Sequence, residues 1–232
     1  MFDDRLFHDR RDAGRTLASL LSAYSDRPDV LVLALPRGGV PVGFEIAQAL
    51  HAPLDVFVVR KLGVPGQEEL AMGAIASGGV RVISPNVVRM LDIRPSDIET
   101  VARAEQQELQ RRERLYRDDL PPPEIRGRTV VLVDDGLATG ATMLAAVRAL
   151  RPMQPQRIVV AVPTAAPATC EELRSEADAV VCARTPASFR AVGEWYEDFS
   201  QTSDEEVNEL LERARQGAAP QPRSQPSQGK PR

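Results

Sequence analysis

Five short apolar runs constrain this chain more than any other feature: 30–35 (VLVLAL), 54–60 (LDVFVVR), 129–134 (TVVLVD), 157–162 (RIVVAV) and 179–183 (AVVCA). Their positions are nearly all apolar and do not alternate with polar ones, which is how a strand covered on both faces reads. Between them lie segments with helical spacing of apolar residues, at 40–50, 140–151 and 167–176. Strands that alternate with helices in this way predict βαβ units. The expected fold class is therefore α/β, a mostly parallel sheet flanked by helices.

The rest of the chain decorates that frame. Residues 9–24 (DRRDAGRTLASLLSAY) read as an amphipathic helix. Residues 61–79 are glycine-rich and weakly patterned, and their middle, with VRVIS at 80–84, is expected to make a small hairpin. A long charged helix is predicted over 96–118, with Ser96 and Glu99 as a capping box, and PPPE at 121–124 ends it. A last helix over 203–216 carries a second capping box, Ser203 with Glu206. Residues 217–232, rich in Pro, Gln and Ser, bury too little apolar surface to offset their ordering entropy and are expected to be disordered. The chain of 232 residues thus reads as one domain over 1–216 with appendages.

Composition removes several classes of function. A net charge of −4 offers no basic face for general nucleic-acid binding. No apolar run approaches the roughly 20 residues that span a bilayer. The start, MFDDRLFHDRRD, is too charged for a secretory signal, so a cytoplasmic protein without membrane partners is expected. Cys170 and Cys182 are the only cysteines, so neither a disulfide framework nor a zinc site is expected. His8 and His51 are the only histidines, which leaves little material for a histidine base.

In an open parallel sheet, ligands sit beyond the carboxyl ends of the strands. The residues that follow each run therefore matter most: Pro36-Arg37-Gly38-Gly39, then Arg60-Lys61, then Asp134-Asp135, then Pro163-Thr164. Next to the acids lies Ala138-Thr139-Gly140-Ala141-Thr142, leading into a helix. Its backbone N–H groups, the positive helix end and two hydroxyls suit a phosphate. Small residues let the backbone come close, and a valine at Gly140 is expected to block the phosphate while leaving the fold largely intact. A plain N-cap is the competing reading of the loop. Adjacent carboxylates at a buried strand end are costly unless they bind hydroxyls, a metal or cations. A ligand with a monophosphate, vicinal hydroxyls and a magnesium-bound pyrophosphate fits every part. The loop lacks the Gly-Lys-Thr of a Walker A sequence, which disfavours a nucleotide triphosphatase.

VVLVDDGLATGATM (130–143) resembles the phosphoribosyl-pyrophosphate (PRPP) signature of type I phosphoribosyltransferases. PRGG at 36–39 resembles the family's pyrophosphate loop, and VRKLGVPG at 59–66 is similar to the start of its adenine-type flexible loop. SFRAVGEWYEDF at 188–199 resembles, more loosely, a hood segment, which places hood elements at about 184–200. The chain looks most like stand-alone bacterial members whose acceptor is unassigned. The resemblance implies Mg²⁺-dependent displacement of pyrophosphate from C1 of the ribose. Asp134 and Asp135 would hold the ribose hydroxyls, and residues 138–142 the 5′-phosphate. Arg37, Gly38, Gly39, Arg60 and Lys61 would hold the pyrophosphate, with Lys61 on a mobile loop. Mg²⁺ would be held mainly by PRPP and water, with Asp134 and Asp135 as further candidates. Phe189, Trp195 and Tyr196 would cover a planar acceptor or, equally, pack the C-terminal helix, and Asp198 is a weaker candidate for a second metal. The 96–118 helix reads as a charged cover or dimer element, and a homodimer is the family's expectation.

Two departures keep the acceptor open. Ala138 stands where some 6-oxopurine enzymes carry an acid, and Pro163-Thr164-Ala165-Ala166 holds no lysine to read an oxopurine carbonyl. No nucleobase is named on these residues. Two other classes stay in play, a non-catalytic PRPP or nucleotide sensor and a protein-interaction module, although the second leaves the paired acids unexplained.

Overall fold

The computed structural model describes residues 6–117 and 120–218. In chain order its elements are α1 (Arg10–Leu20), β1 (Val30–Ala34), α2 (Gly39–Leu50), β2 (Leu54–Val56), β3 (Val59–Val64), β4 (Gln67–Ala76), β5 (Val80–Ile83), α3 (Pro85–Met90) and α4 (Pro95–Arg117). They continue as β6 (Thr129–Val133), α5 (Ala141–Leu150), β7 (Arg157–Thr164), α6 (Pro167–Arg174), β8 (Ala179–Arg184) and α7 (Asp204–Ala218). The main sheet has the order β2-β1-β6-β7-β8, and every neighbouring pair is parallel. This is the expected α/β class.

The unbroken apolar runs are explained by two cores, one on each face of the sheet. Val30, Val32, Ala34, Val131 and Val133 pack with Leu17, Phe44, Ile46 and Leu50 on one side. Their neighbours Leu31, Leu33, Val130 and Leu132 pack with Met143, Val147, Leu150 and Leu173 on the other. Successive strand side chains point to opposite faces, so a strand must be apolar at every position to serve both layers. Each fully buried Leu or Val contributes on the order of 1.5–3 kcal/mol relative to exposure.

The run 54–60 is not one strand. β2 ends at Val56, and the buried Phe57 and Val58 carry the chain into a separate antiparallel sheet of order β3-β4-β5. Val58 N–H donates to Ser77 Oγ at 3.0 Å, which ties the crossing together. The expected hairpin within 61–84 is thus a three-stranded arm, followed by a short helix, α3, that the sequence pattern did not suggest.

Helix α4 begins at Pro95, so Ser96 lies inside it and is not its cap. Its buried residues Ile98, Ala102, Leu109 and Tyr116 form one stripe, packed toward β3, β4 and α7. The far end is anchored by Arg117, whose Nε and Nη2 donate to Asp55 Oδ1 and Oδ2 at 3.0 and 2.7 Å. At α7 the predicted cap is present, with Glu206 N–H donating to Ser203 Oγ at 3.1 Å. The helix runs to Ala218, past the expected end at 216, and the remainder of the predicted tail, 219–232, lies outside the described residues. Contrary to expectation, Cys170 on α6 and Cys182 on β8 are joined by a disulfide, brought together because α6 packs back across the strand that follows it.

Candidate active site

Strand order reverses between β1 and β6, and the crevice at such a switch point is where a doubly wound sheet binds ligands. Both strands end there with the residues singled out above. From β1 the chain turns through Pro36-Arg37-Gly38-Gly39 into α2, and the Pro36–Arg37 peptide is cis. Gly38 has φ −59°, open to any residue, so its need for glycine is one of space. A Cβ there would collide with Asp135 Oδ2, and one on Gly39 would lie 2.8 Å from the Val133 carbonyl oxygen. The PRGG turn is therefore pressed against the end of β6.

Asp134 and Asp135 occupy that end. Asp134 Oδ1 accepts from the Asp135 N–H at 2.9 Å. Asp135 Oδ2 accepts from Arg10 Nε at 2.8 Å, between side chains only 16% and 12% exposed. The Asp135 carbonyl accepts from the Tyr196 hydroxyl at 2.6 Å. Burial pushes the Asp134 carboxyl well above the usual range, and the Asp135 charge beside it adds to the rise. Burial also raises Asp135, against the opposing pull of the Arg10 guanidinium. A site that concentrates negative charge at such cost is set up for hydroxyl donors or a cation.

The phosphate-loop candidate follows. Ala138, Thr139, Ala141 and Thr142 are exposed, the N-cap Gly140 has no side chain to cap α5, and the Ala141 N–H makes only a long bond to Thr139 Oγ1, at 3.4 Å. The start of α5 therefore lies at an exposed loop with weakly engaged first-turn N–H groups, which suits an anion. Gly140 has φ +70°, in the region that favours glycine, and a Cβ on it would lie 2.5 Å from Thr169 Cγ2. Thr169 Oγ1 in turn donates to the Ala138 carbonyl at 2.9 Å. A valine at 140 would strain the backbone and collide with α6, so the expectation that it spares the fold is corrected.

Thr139, Ala141 and Thr142 share one cavity of about 930 Å³ with Arg60, Lys61 and Glu105. Arg60 Nε donates to Glu105 Oε2 at 2.6 Å. Lys61 lies on β3 opposite Ala74, not on the expected mobile loop, because VRKLGV pairs with β4. The predicted pyrophosphate set is therefore divided. Arg60 and Lys61 stand with the phosphate loop, whereas Gly38 and Gly39 abut the acids and Arg37 leans toward Asp204 at 4.0 Å.

The hood candidates separate as well. Tyr196 is buried, with its ring 5.6 Å from Phe7 and 5.0 Å from Phe199. Burial and the Asp135 charge hold its phenol protonated far above the ordinary range. It supports Asp135 from behind and does not present a face to an acceptor. Phe189 and Trp195 are half-buried, and Trp195 packs at the edge of the same cluster. Asp198 accepts from the Ser200 N–H at 2.9 Å, the ordinary work of a turn carboxylate.

Arg10 was not singled out from the sequence, yet a signal for it exists. It falls at helical spacing with Ala13, Gly14 and Leu17, the buried face of α1. A charged residue on an apolar stripe is the kind of local conflict that marks a functional position.

A parallel sheet with this order, an acid pair at its switch point and a small-residue loop before the next helix define a doubly wound α/β protein with its candidate ligand site at the strand ends. The chain belongs to the phosphoribosyl transferase family, whose domain model matches residues 7–199. It is 50% identical over 210 residues to the Mycobacterium tuberculosis protein named "Putative phosphoribosyl transferase Rv0571c", covering 90% of this chain and 47% of that one. The chain thus spans about half the length of the curated relatives it matches. The crystal structure of TT1426 from Thermus thermophilus is similar at a TM-score of 0.82 and 43% identity, over 89% of this chain and 97% of that one.

Proposed function

We propose that the chain binds PRPP and, with Mg²⁺, transfers its 5-phosphoribosyl group to a nitrogen acceptor with release of pyrophosphate. The observation that carries this reading is the acid pair at the switch point, wedged against the PRGG turn. In the step, the bond between C1 and the pyrophosphate oxygen breaks, that oxygen keeps the electron pair, and an acceptor nitrogen bonds C1. The ring gains positive charge as the leaving group departs. Asp134 and Asp135 would accept the ribose hydroxyls and stabilise that charge, and the α5 N-terminus would fix the 5′-phosphate. Catalysis of this kind is electrostatic and positional.

The donor set fits Mg²⁺. Asp134 and Asp135 are adjacent hard carboxylates of which Arg10 pairs with one oxygen, Asp135 Oδ2, and the described residues hold no group of three or more candidate ligands. Such a site suits a cation that keeps substrate oxygens and waters as most of its shell. When bound, Mg²⁺ would neutralise pyrophosphate and make it a better leaving group.

Isothermal titration with PRPP and Mg²⁺ tests the binding, and a pyrophosphate-release screen across bases and amines tests the transfer. Release with some acceptor, abolished by Asp135→Asn, is the expected result, and absence of PRPP binding sinks the reading. One observation favours a sensor instead: Arg60 is engaged by Glu105 and Lys61 is held on a strand. Tight PRPP binding without release for any acceptor would select that alternative.

Gly38 supplies a sharper check on geometry. Alanine fits its backbone but not its space, so Gly38→Ala must displace the Asp135 carboxylate. The expected result is a stability loss of about 1–3 kcal/mol, typical of overpacking, together with loss of the PRPP-induced rise in melting temperature. An alanine variant that PRPP still stabilises fully would show that Asp135 does not hold the sugar.

A further inference from the structure

We propose that Arg10 is a positioning residue for the acid pair, and that the same side chain fastens segment 195–200 over it. The first half rests on the phosphoribosyl reading above, and the second does not.

Arg10 opens α1, where Asp9 caps the helix by accepting from the Asp12 N–H at 2.7 Å. Its side chain is 12% exposed, and a charge so buried persists only when it is paired. Three contacts meet that requirement, one to Asp135 and two to the neighbouring Phe199 and Ser200. Nε donates to Asp135 Oδ2 at 2.8 Å. Nη1 donates to the Ser200 carbonyl at 2.7 Å. The guanidinium plane lies 4.0 Å from the Phe199 ring centroid. The PRGG turn closes the fourth side, since a Cβ on Gly38 would stand 3.2 Å from Arg10 Nε.

Arg10 engages one oxygen of Asp135 through one N–H, leaving Oδ1 for a hydroxyl. A guanidinium in this position orients the carboxylate and offsets its charge without filling its acceptor sites. The second link is mechanical. Glu197 N–H donates to the Phe7 carbonyl at 2.8 Å and Asp198 N–H to the His8 carbonyl at 2.9 Å, so the chain entering α1 and segment 195–198 run together. Arg10 joins that ribbon to the end of β6. Losing it frees Asp135 and loosens the segment at once.

Three variants of the full chain test this, with PRPP plus Mg²⁺ as ligand and Trp195, the only tryptophan, as reporter. Arg10→Met is expected to weaken PRPP binding by about tenfold or more, the scale of a lost charge-assisted hydrogen bond, and to increase acrylamide quenching of Trp195. Arg10→Lys keeps the charge beside Asp135 but cannot span to Ser200, so affinity should largely return while quenching stays high. Phe199→Ala removes an exposed ring beneath the guanidinium and should give an intermediate loss of affinity in a folded protein. A lower melting temperature in Arg10→Met with unchanged affinity and quenching would reduce Arg10 to a structural residue and overturn the proposal. If the wild-type chain fails to bind PRPP, the functional reading falls, and the quenching comparison alone decides the tether.

Discussion

Asp134→Asn is expected to make the protein more stable at neutral pH and, on the proposed function, a weaker binder of PRPP. The variant keeps the Oδ1 acceptor for the Asp135 N–H, so the local hydrogen bond survives. What it removes is a carboxylate whose proton affinity is raised by burial and by Asp135. A raised carboxylate binds its proton more tightly in the folded state than in the unfolded one. The contribution of Asp134 to stability is therefore greatest below the ordinary carboxylate range and falls as pH rises from about 4 toward the elevated value. Asparagine has no such penalty. Its advantage should be absent near pH 3 and present at pH 7 as a higher melting temperature. PRPP affinity should fall by about 10–100-fold, the cost of one charge-assisted hydrogen bond to a hydroxyl. Melting curves at both pH values, with and without PRPP and Mg²⁺, measure all of this. A variant destabilised at pH 7 would show that Asp134 is satisfied in the free protein and not reserved for a ligand.

Arg117→Met is expected to produce the largest loss of stability among simple side-chain changes outside the site. Arg117 is 4% exposed and Asp55 21%, and both of their hydrogen bonds are short and parallel. Methionine retains the apolar stem but leaves a mostly buried carboxylate with only the Val56 N–H, at 2.7 Å, as partner. Breaking a buried pair from one side costs about 3–5 kcal/mol. The residual exposure of Asp55 places the expectation near the lower end, a fall of about 10 °C in melting temperature. Pairing Arg117→Met with Asp55→Leu should recover most of it, because the orphaned charge is the source of the cost. A urea-midpoint comparison of the single and double variants decides the matter, and equal losses in both would show that α4 is not anchored through this pair. The contact bears on function because α4 supplies Glu105 to the cavity shared by Lys61 and Thr142.

The alternation of runs and helices was legible because each core strand serves two layers and must be apolar throughout. The acid pair and the loop were legible because their chemistry is wrong for a core and for a bare turn alike. The division of 54–60 was not. Phe57 and Val58 are as apolar as Val56, and an apolar run does not show that its hydrogen-bonding partners change midway. Lys61 was misplaced for the same reason, since glycine-rich sequence fits both a loop and an irregular strand, and register shifts near Gly63 allow the latter here. Tyr196 read equally as a stacking face and as a packing residue, because aromatic residues serve ligands and cores equally well.

From its residues alone the chain determined the layered α/β class, the places where strands end and the local chemistry at those ends, because burial on two faces and backbone anion binding are properties of short segments. Only the tertiary structure decided which of those ends meet. It set Asp135 against Gly38 and Arg10, placed Lys61 beside Thr142 across a cavity, and turned Tyr196 inward. Such contacts join residues as far apart as Arg10 and Ser200, and they depend on strand order and helix packing, which no local pattern encodes.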